Sequence, residues 1–330
     1  MRPFVYKKVT TVEGAVNSIR GDARFLGGGT NLVDLMKTGT EQPSELVDIS
    51  RVPLMNIEEQ RNGGLRIGAT VRNSALANHP VVRQRYPVLA QALLSGASPQ
   101  IRNMATVGGN LLQRTRCYYF YDPSYVECNK RTPGSGCAAL QGQNRMHVIL
   151  GGSESCIATH PSDMAVAMMA LDAVVRVQSA SGEHAIPLMK FYRLPGTTPH
   201  IETELKRDEM IVGIDLPPVV GRHSHYLKVR DRNSYAFALV SVAAVMDVEA
   251  GNKIREARIA LGGVAPRPWR IPEAEKALAG QTADEAAFKN AADILLKDAK
   301  GQRHNGFKVE LARRSIVRAL TIASTPRGGQ

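Results

Sequence analysis

The chain has 330 residues, of which 43% are hydrophobic and 22% charged, an ordinary globular composition that excludes a disordered or fibrous chain and suits two or three domains. Its N-terminal residues lack an apolar segment of signal-peptide length, and no apolar run is long enough to cross a bilayer, so we expect no export signal and no membrane span. The net charge of +12 raises nucleic acid as a partner, but the basic residues are dispersed and aromatics make up only 5%, so we expect no nucleic-acid binding and consider an acidic protein partner instead.

The first periodic region, residues 24–50, has the pattern of a short α/β unit. Residues 24–26 suit a strand, residues 32–37 have helical spacing, and residues 45–49 suit a second strand. Three glycines fill the turn between the first strand and the helix. We therefore predict a strand, a glycine turn, a helix and a strand in that order.

The next elements follow from hydrophobic periodicity and from the placing of glycine and proline. Before the cysteines we predict an alternating strand at 64–71, a helix to residue 79 with Asn73 or Ser74 as its N-cap, and a helix over 87–94. After the cysteines we predict a buried helix over 164–175 and a strand from 174 to 178.

A proline and glycine group, Pro217-Pro218 to Gly221, predicts a domain boundary. Beyond it the pattern predicts strands and helices, in this order: strands at 238–247 and 257–261, then helices near 272–279, 284–298 and 308–322. We expect a disordered tail at 325–330.

All four cysteines lie in one window, residues 117–156, and are Cys117, Cys128, Cys137 and Cys156. A structural zinc site would normally contain a C-x2-4-C pair, which is absent, and disulfides belong to oxidising compartments and to shorter chains. An iron–sulfur cluster uses four thiolates, whereas buried structural thiols need no ligand. The spacing alone leaves the cluster and the buried thiols open.

The residues around the cysteines favour the cluster. Four cations could offset thiolate charge: Arg114, Arg116, Lys130 and Arg131. Two glycines, Gly134 and Gly136, would let backbone N–H groups approach the sulfurs.

Two glycine turns could bind phosphate. The first, Gly27–Asn31, places unhindered N–H groups at the start of a helix, where the helix dipole attracts anions. The second, residues 105–110, also has small residues, a hydroxyl, two glycines and an amide. Two such turns suit a pyrophosphate, although a tight turn with no ligand explains the first equally well.

These segments carry a family resemblance. Residues 25–32, residues 101–111, and residues 161–165 with 169–173 resemble the three signature stretches of the FAD-binding subunit of the xanthine dehydrogenase and aldehyde oxidoreductase family. Residues 261–268 are similar to the opening of that family's C-terminal flavoprotein domain. The resemblance covers nearly the whole chain.

The resemblance implies an α+β fold. Its first part is a vanillyl-oxidase-type (PCMH) FAD-binding domain at 1–220, made of two α/β subdomains at about 1–54 and 55–220 and carrying a cysteine-bearing insertion at 114–158. A C-terminal domain at 221–324, like that of the CO dehydrogenase flavoprotein, then combines helices with a small antiparallel sheet.

The resemblance also implies a set of FAD-binding residues. The first turn would wrap the pyrophosphate with Leu26, Gly27, Gly28, Gly29, Thr30, Asn31 and Leu32. The second would lie along the pyrophosphate and flavin with Thr106, Gly108, Gly109 and Asn110. Asp163 would bind the ribose, Lys228 would lie near the flavin ring, and His160 near the flavin edge. Simpler roles exist for these three: a helix cap, a solvated surface charge and packing, respectively.

The insertion resembles that of medium subunits of bacterial periplasmic aldehyde oxidoreductases, which carry an added [4Fe-4S] cluster. This resemblance implies that Cys117, Cys128, Cys137 and Cys156 bind the cluster. Hydroxybenzoyl-CoA reductase subunits, which also have an iron–sulfur insertion, are the second choice. A non-enzymatic zinc-binding module is the alternative from another class.

The resemblance implies an oxidoreductase subunit of a heterotrimer. Its partners would be a large molybdenum-cofactor subunit that oxidises the aldehyde and a small subunit with [2Fe-2S] clusters, and electrons would pass through FAD to an external acceptor. The implied location is the periplasm, reached by co-export with a partner subunit, with the cytoplasm as the alternative.

Overall fold

The N-terminal part of the protein is a small parallel sheet. A computed structural model describes residues 1–219 and 223–325. Strands β1 (Val5–Lys8), β2 (Arg24–Leu26) and β3 (Glu45–Asp48) pair in the order β1-β3-β2, and helices α1 (Val12–Ser18) and α2 (Leu32–Thr38) make the two crossovers. The predicted strand, turn, helix and strand over 24–50 are confirmed.

The middle part is a five-stranded sheet in which every pairing is antiparallel. Its strands, in the order β4-β5-β8-β6-β7, are β4 (Ile57–Glu59), β5 (Leu65–Gly68), β6 (Val174–Ser179), β7 (Gly182–Pro187) and β8 (Met210–Leu216). The associated helices are α3 (Asn73–Asn78), α4 (Pro80–Arg85), α5 (Pro87–Ser95), α6 (Pro99–Met104), α7 (Val107–Leu111), α8 (Tyr118–Tyr121), α9 (Asp163–Ala170) and α10 (Leu188–Phe191).

The C-terminal part is a three-stranded antiparallel sheet covered by helices. Strands β9 (His223–Val229), β10 (Val240–Glu249) and β11 (Lys253–Gly262) pair in the order β11-β10-β9. Helices α11 (Pro272–Leu278), α12 (Glu285–Leu295) and α13 (Phe307–Ser324) follow. No helix in the described ranges combines the length and hydropathy of a membrane span.

Strand β10 joins the two larger cores because its two faces pack on different sides. Val242 and Met246 belong to the core under helices α11, α12 and α13. Ala243 and Val245 belong to the core of the five-stranded sheet. The strand is consistently buried from Val240 to Asp247, as expected for a strand covered on both faces.

Some predicted boundaries are wrong. The N-cap of α3 is Arg72, because Asn73 is already helical and donates its backbone N–H to Ala105. The predicted helix over 164–175 ends at Ala170, because Asp172 has a φ of 52° and the chain enters β6 at Val174. The predicted boundary at Gly221 and the tail beyond residue 325 lie outside the described residues.

Candidate cofactor-binding site

The first glycine turn presents free hydrogen-bond donors. It connects β2 to α2, and Gly29 has a φ of 72°, which favours glycine. Within the described part of the chain, no protein group accepts a hydrogen bond from the backbone N–H groups of Gly27 through Asn31. Successive unpaired N–H groups at a helix start form an anion-binding concavity.

The second glycine turn lies directly against the first. A Cβ on Gly28 would stand 1.9 Å from the carbonyl oxygen of Met104, and one on Gly27 would stand 2.8 Å from Thr106 Oγ1. Contact this close leaves no room for a side chain at Gly28. The two turns therefore form one surface.

The second turn directs its own donors inward. Val107 and Gly108 donate their backbone N–H groups to the carbonyl oxygens of Val71 and Ala69, at 3.0 and 2.9 Å. The N–H of Gly109 bonds Thr106 Oγ1 at 3.2 Å, so Thr106 caps helix α7. The predicted residues Thr106, Gly108 and Gly109 thus support the first turn rather than extending its row of donors.

Asn110 is held by the start of helix α9. Ser162 Oγ donates to Asn110 Oδ1 at 2.6 Å and accepts from the backbone N–H of Ala165 at 2.9 Å. Ser162 is therefore the N-cap of α9. The simpler role considered for Asp163, as the helix cap, is wrong.

Asp163 and Lys228 form a buried ion pair. Lys228 Nζ lies 2.8 Å from Asp163 Oδ2, and the side chains are only 4% and 10% exposed. Lys228 also donates to the carbonyl of Ser95 at 3.1 Å, and Tyr226 Oη donates to Asp163 Oδ1 at 2.6 Å. A solvated surface position for Lys228 is wrong. The structure brings together the two residues predicted for the ribose and for the flavin ring.

Burial and the nearby Asp163 carboxylate raise the pKa of Tyr226 well above its ordinary value. The tyrosine therefore keeps its proton and remains a donor to Asp163 at physiological pH.

A cavity of about 210 Å³ lies between the middle and C-terminal parts of the fold. Its lining includes His160, Asp163, Phe237, Ser241 and Gly263. On this wall the His160 ring interacts with the backbone of Leu111, and the Ser241 hydroxyl interacts with the hydroxyl of Tyr226. Arg116 Nε, which is buried and belongs to a residue of the same wall, has no hydrogen-bond partner among the described residues. Buried polar atoms are normally paired, so such an atom in a cavity wall indicates a ligand.

His160 is neutral at physiological pH. Burial lowers its pKa to about 4, and its ring packs on Tyr192 with centroids 4.6 Å apart. Its Nδ1 accepts from the backbone N–H of Ser162 at 3.4 Å, which assigns the proton to Nε2. His160 therefore lines the cavity as a neutral ring that interacts with the backbone of Leu111, in addition to its packing role.

The four cysteines are free thiols, and Cys117, Cys137 and Cys156 each lie close enough to another of the four for their charges to interact. Cys117 precedes helix α8, and Cys128 faces Cys137 across an antiparallel bridge. Burial raises the pKa of Cys117 to about 12 and raises the pKa values of Cys137 and Cys156 as well. Burial disfavours the thiolate, so these thiols stay protonated unless a metal replaces the proton.

The donors to the sulfurs differ from those predicted. Backbone N–H groups of Phe120 and Ala139 bond the sulfurs of Cys117 and Cys137, respectively. The N–H of Gly136 itself donates to Asn129 Oδ1 at 2.9 Å, and the role predicted for Gly134 and Gly136 stays a prediction.

The predicted cations mostly have other partners. Arg114 bonds Glu41 and Glu202, and Arg131 bonds backbone carbonyls. Arg116 bonds Tyr121. Lys130 pairs with Glu202, and its charge also lowers the pKa of Cys156, against the larger effect of burial.

His147 is a neighbour of the cysteines that the sequence patterns did not single out. Its Nε2 lies 3.2 Å from Cys117 Sγ, and its carbonyl oxygen accepts from the buried Lys308 Nζ at 2.9 Å. The one available signal was its position inside the cysteine window. In the ranges that the structure describes, no three His, Cys, Asp or Glu side chains form a group that could hold a metal ion.

The fold and the site define a class of flavoprotein. Residues 2–219 match the family described as the FAD binding domain in molybdopterin dehydrogenase, and residues 225–323 match the CO dehydrogenase flavoprotein C-terminal domain. The chain belongs to this family of FAD-binding medium subunits, and it is therefore an oxidoreductase subunit that binds FAD.

Individual relatives cover nearly the whole chain. The chain is 52% identical to the aldehyde oxidoreductase FAD-binding subunit PaoB of Escherichia coli K12, over 98% of its length and 99% of the relative's. It is 26% identical to the glyceraldehyde dehydrogenase medium chain of Sulfolobus acidocaldarius, over 97% and 96%. Its structure is similar to that of a carbon monoxide dehydrogenase from Hydrogenophaga pseudoflava, with a TM-score of 0.75, 27% identity and coverage of 98% and 97%.

These comparisons confirm the predicted α+β fold, the family and the binding of FAD. Three points stay predictions: the roles of individual residues, the residue limits of the domains, and the iron–sulfur cluster.

Proposed function

We propose that the chain is the FAD- and [4Fe-4S]-containing electron-transfer subunit of a heterotrimeric molybdenum aldehyde oxidoreductase. It would pass electrons from the molybdenum and [2Fe-2S] subunits to an external acceptor. The observation that carries the proposal is the row of free N–H groups in the first glycine turn, which opens next to the cysteine-bearing segment. The 52% identity to an aldehyde oxidoreductase subunit supports the substrate class.

The first turn fits the pyrophosphate of FAD. The free N–H groups of Gly27–Asn31 supply donors, and the bare Cα of Gly28 lets the turn rest on Met104. Leu26 and Leu32 flank these donors at the end of β2 and the start of α2. When bound, FAD would supply a centre that accepts and releases electrons.

The cavity offers polar groups to a bound cofactor. His160 and Asp163 line it, Asp163 is paired with Lys228, and Arg116 Nε in the same wall has no hydrogen-bond partner among the described residues. The Asp163 carboxylate accepts two hydrogen bonds, and a carboxylate has capacity for about four, so a ribose hydroxyl can also bond it. The residues present therefore fit the roles proposed for His160, Asp163 and Lys228.

The cysteines fit a cluster better than a single ion. Each thiolate of a four-iron cluster binds a different iron, so the four side chains need not converge on one point. The thiols are free, and backbone N–H groups already point at the sulfurs of Cys117 and Cys137. Cys128 and Cys156 would complete the ligand set.

The partners follow from the relatives. The Sulfolobus relative is named a medium chain, and the Escherichia coli relative a subunit, which supports a complex with a large molybdenum-cofactor subunit and a small [2Fe-2S] subunit. We place the complex in the periplasm by co-export with a partner, with the cytoplasm as the alternative.

The test is an anaerobic ultraviolet–visible spectrum of the purified complex and of the separately purified chain, with iron and flavin assays on both. We expect flavin bands over a broad iron–sulfur absorbance in the chain itself. Cys128→Ser should remove the iron absorbance of the chain and leave flavin bound when FAD is saturating, whereas Ser124→Ala, an exposed serine of the same segment, should change neither. A colourless chain would overturn the proposal, and retained iron in Cys128→Ser would overturn the ligand set.

A further inference from the structure

Asn31 connects the first glycine turn to the cysteine segment, which we define as residues 114–158. Its Oδ1 accepts from the backbone N–H of Arg114 at 2.8 Å, and its Nδ2 donates to Tyr121 Oη at 3.1 Å. Both ends of the amide are thus used by the cysteine segment. Among the described residues, no group accepts a hydrogen bond from the backbone N–H of Asn31.

Packing reinforces this connection. Leu35 of helix α2 is 1% exposed and belongs to one small buried cluster with Phe120 and Cys128. Thr40, just beyond the helix, donates its hydroxyl to the carbonyl of Tyr121 at 3.0 Å. Helix α2 therefore has one end at the proposed pyrophosphate site and one side against a cysteine.

Ion pairs also hold the end of helix α2 to the cysteine segment. The Arg114 guanidinium lies between Glu41, which follows α2, and Glu202, and Glu202 also bonds Lys130 beside Cys128. The side chains of this group are at most 28% exposed, so water screens their attraction weakly. Movement of the cysteine segment would disturb α2 as well as its own loops.

We propose that FAD binding and retention of the iron–sulfur cluster are thermodynamically coupled through Asn31 and Tyr121. This inference rests on the proposed function. A filled cysteine site orders Tyr121 and Arg114, which hold Asn31 and the turn in the geometry that binds the pyrophosphate. Coupling is reciprocal, so bound FAD also stabilises the cluster. Asn31 and Tyr121 act as positioning residues, because their side chains bond each other rather than a cofactor.

The first test is a double-mutant cycle on the affinity for FAD, measured by flavin fluorescence with the deflavinated complex. Tyr121→Phe removes only a hydroxyl, and we expect it to raise the Kd for FAD about tenfold, within the usual range of coupling between sites. Asn31→Ala should raise it at least as much, and the double variant no more than Asn31→Ala alone. Gln42→Ala, which removes an exposed amide that donates to the carbonyl of Gly39, is the matched control and should leave the Kd unchanged.

The second test measures the reverse effect. Iron release to a chelator should be slower with FAD bound in the unaltered protein, and FAD should have little effect on it in Tyr121→Phe. Cys128→Ser, lacking the cluster, should show a raised Kd for FAD.

The outcomes separate the two proposals. A protein that lacks iron defeats the cluster assignment and the coupling together. A protein that holds both cofactors, but whose Kd for FAD is the same with and without iron, or whose double-mutant cycle is additive, defeats the coupling and leaves the proposed function intact.

Discussion

The two glycine turns contain the same kinds of residue and lie in contact, yet they offer different chemistry. In the part of the chain that the structure describes, the N–H groups of the first turn, from Gly27 to Asn31, have no protein acceptor. The second turn donates the N–H groups of Val107 and Gly108 to residues that follow strand β5. Small residues and glycines therefore do not by themselves make an anion site. A turn of this kind can bind an anion only if its N–H groups are not already hydrogen-bonded to the end of a neighbouring strand.

The second turn nevertheless has a role in the site. Met104 and Thr106 form the floor on which Gly28 and Gly27 rest, and Ser162 anchors Asn110 on the far side. The second turn is thus a support whose own position depends on helix α9. Substitutions should affect binding of FAD strongly at the first turn and weakly at the second.

The largest effect should come from Gly28→Ala. The new Cβ would lie 1.9 Å from a backbone oxygen that cannot rotate away, so the turns must separate. We expect a loss of about 3 kcal/mol or more in the free energy of unfolding, at the upper end of overpacking effects, together with loss of bound FAD. Chemical denaturation and the flavin content per chain measure the two.

Gly306→Ala is the matched control, because its Cβ would meet nothing within 4 Å and its backbone is already helical. It should keep both stability and flavin. A Gly28→Ala variant that retained stoichiometric FAD would show that the contact between the turns is not required.

A middle-sized effect should appear in the pH dependence of stability. Burial lowers the pKa of His160 to about 4 from an ordinary 6.5, so the folded state favours the neutral ring. The contribution of the neutral His160 ring to the free energy of unfolding is complete above pH 6.5. It is lost as the pH falls towards 4, because the unfolded state then binds a proton on this histidine that the folded state does not. The loss should reach about 2 kcal/mol by pH 5.

His160→Gln should remove that part of the change in unfolding free energy between about pH 7.5 and pH 5, measured by urea titration. The exposed His200→Gln should leave it as it is. An unchanged acid sensitivity in His160→Gln would mean that the ring is not held neutral in the folded protein.

The smallest effect should come from Gly108→Ala in the second turn. Its Cβ would meet Ala69 at 3.2 and 3.3 Å, a tight contact, while alanine favours the helical backbone of α7 over glycine by about 1 kcal/mol. The opposing terms should leave the free energy of unfolding within about 1 kcal/mol of the unaltered protein, with FAD retained. Loss of FAD in Gly108→Ala would show that the second turn is as sensitive to substitution as the first.

The sequence predicted the parts of the fold that depend on local pattern. The α/β unit over 24–50 and the three C-terminal helices were found within a few residues, because their apolar spacing is regular and their ends carry glycine, proline or polar caps. Five strands were not predicted: β1, β4, β7, β8 and β9. Strand β1 has four exposed residues and shows no alternation to detect.

The contacts of the site could not be predicted in the same way. Asn31 and Arg114 are 83 residues apart, and Asp163 and Lys228 are 65 apart, so only the folded chain shows that they meet. The family resemblance named Asn31, Asp163 and Lys228, but neither it nor the periodicity indicated that Asp163 would neutralise Lys228. The inward direction of the donors at Val107 and Gly108 likewise depends on where β5 ends.

The two-faced burial of strand β10 limits how this protein can be recombined with its relatives. Odd-numbered and even-numbered residues of the strand pack into different cores. A C-terminal domain transplanted from another family member would therefore place foreign side chains in the core of the FAD-binding domain. A working chimera would need the grafted strand to keep Ala243 and Val245 while the opposite face changed with its own helices. The packing of the two domains therefore depends on one shared strand.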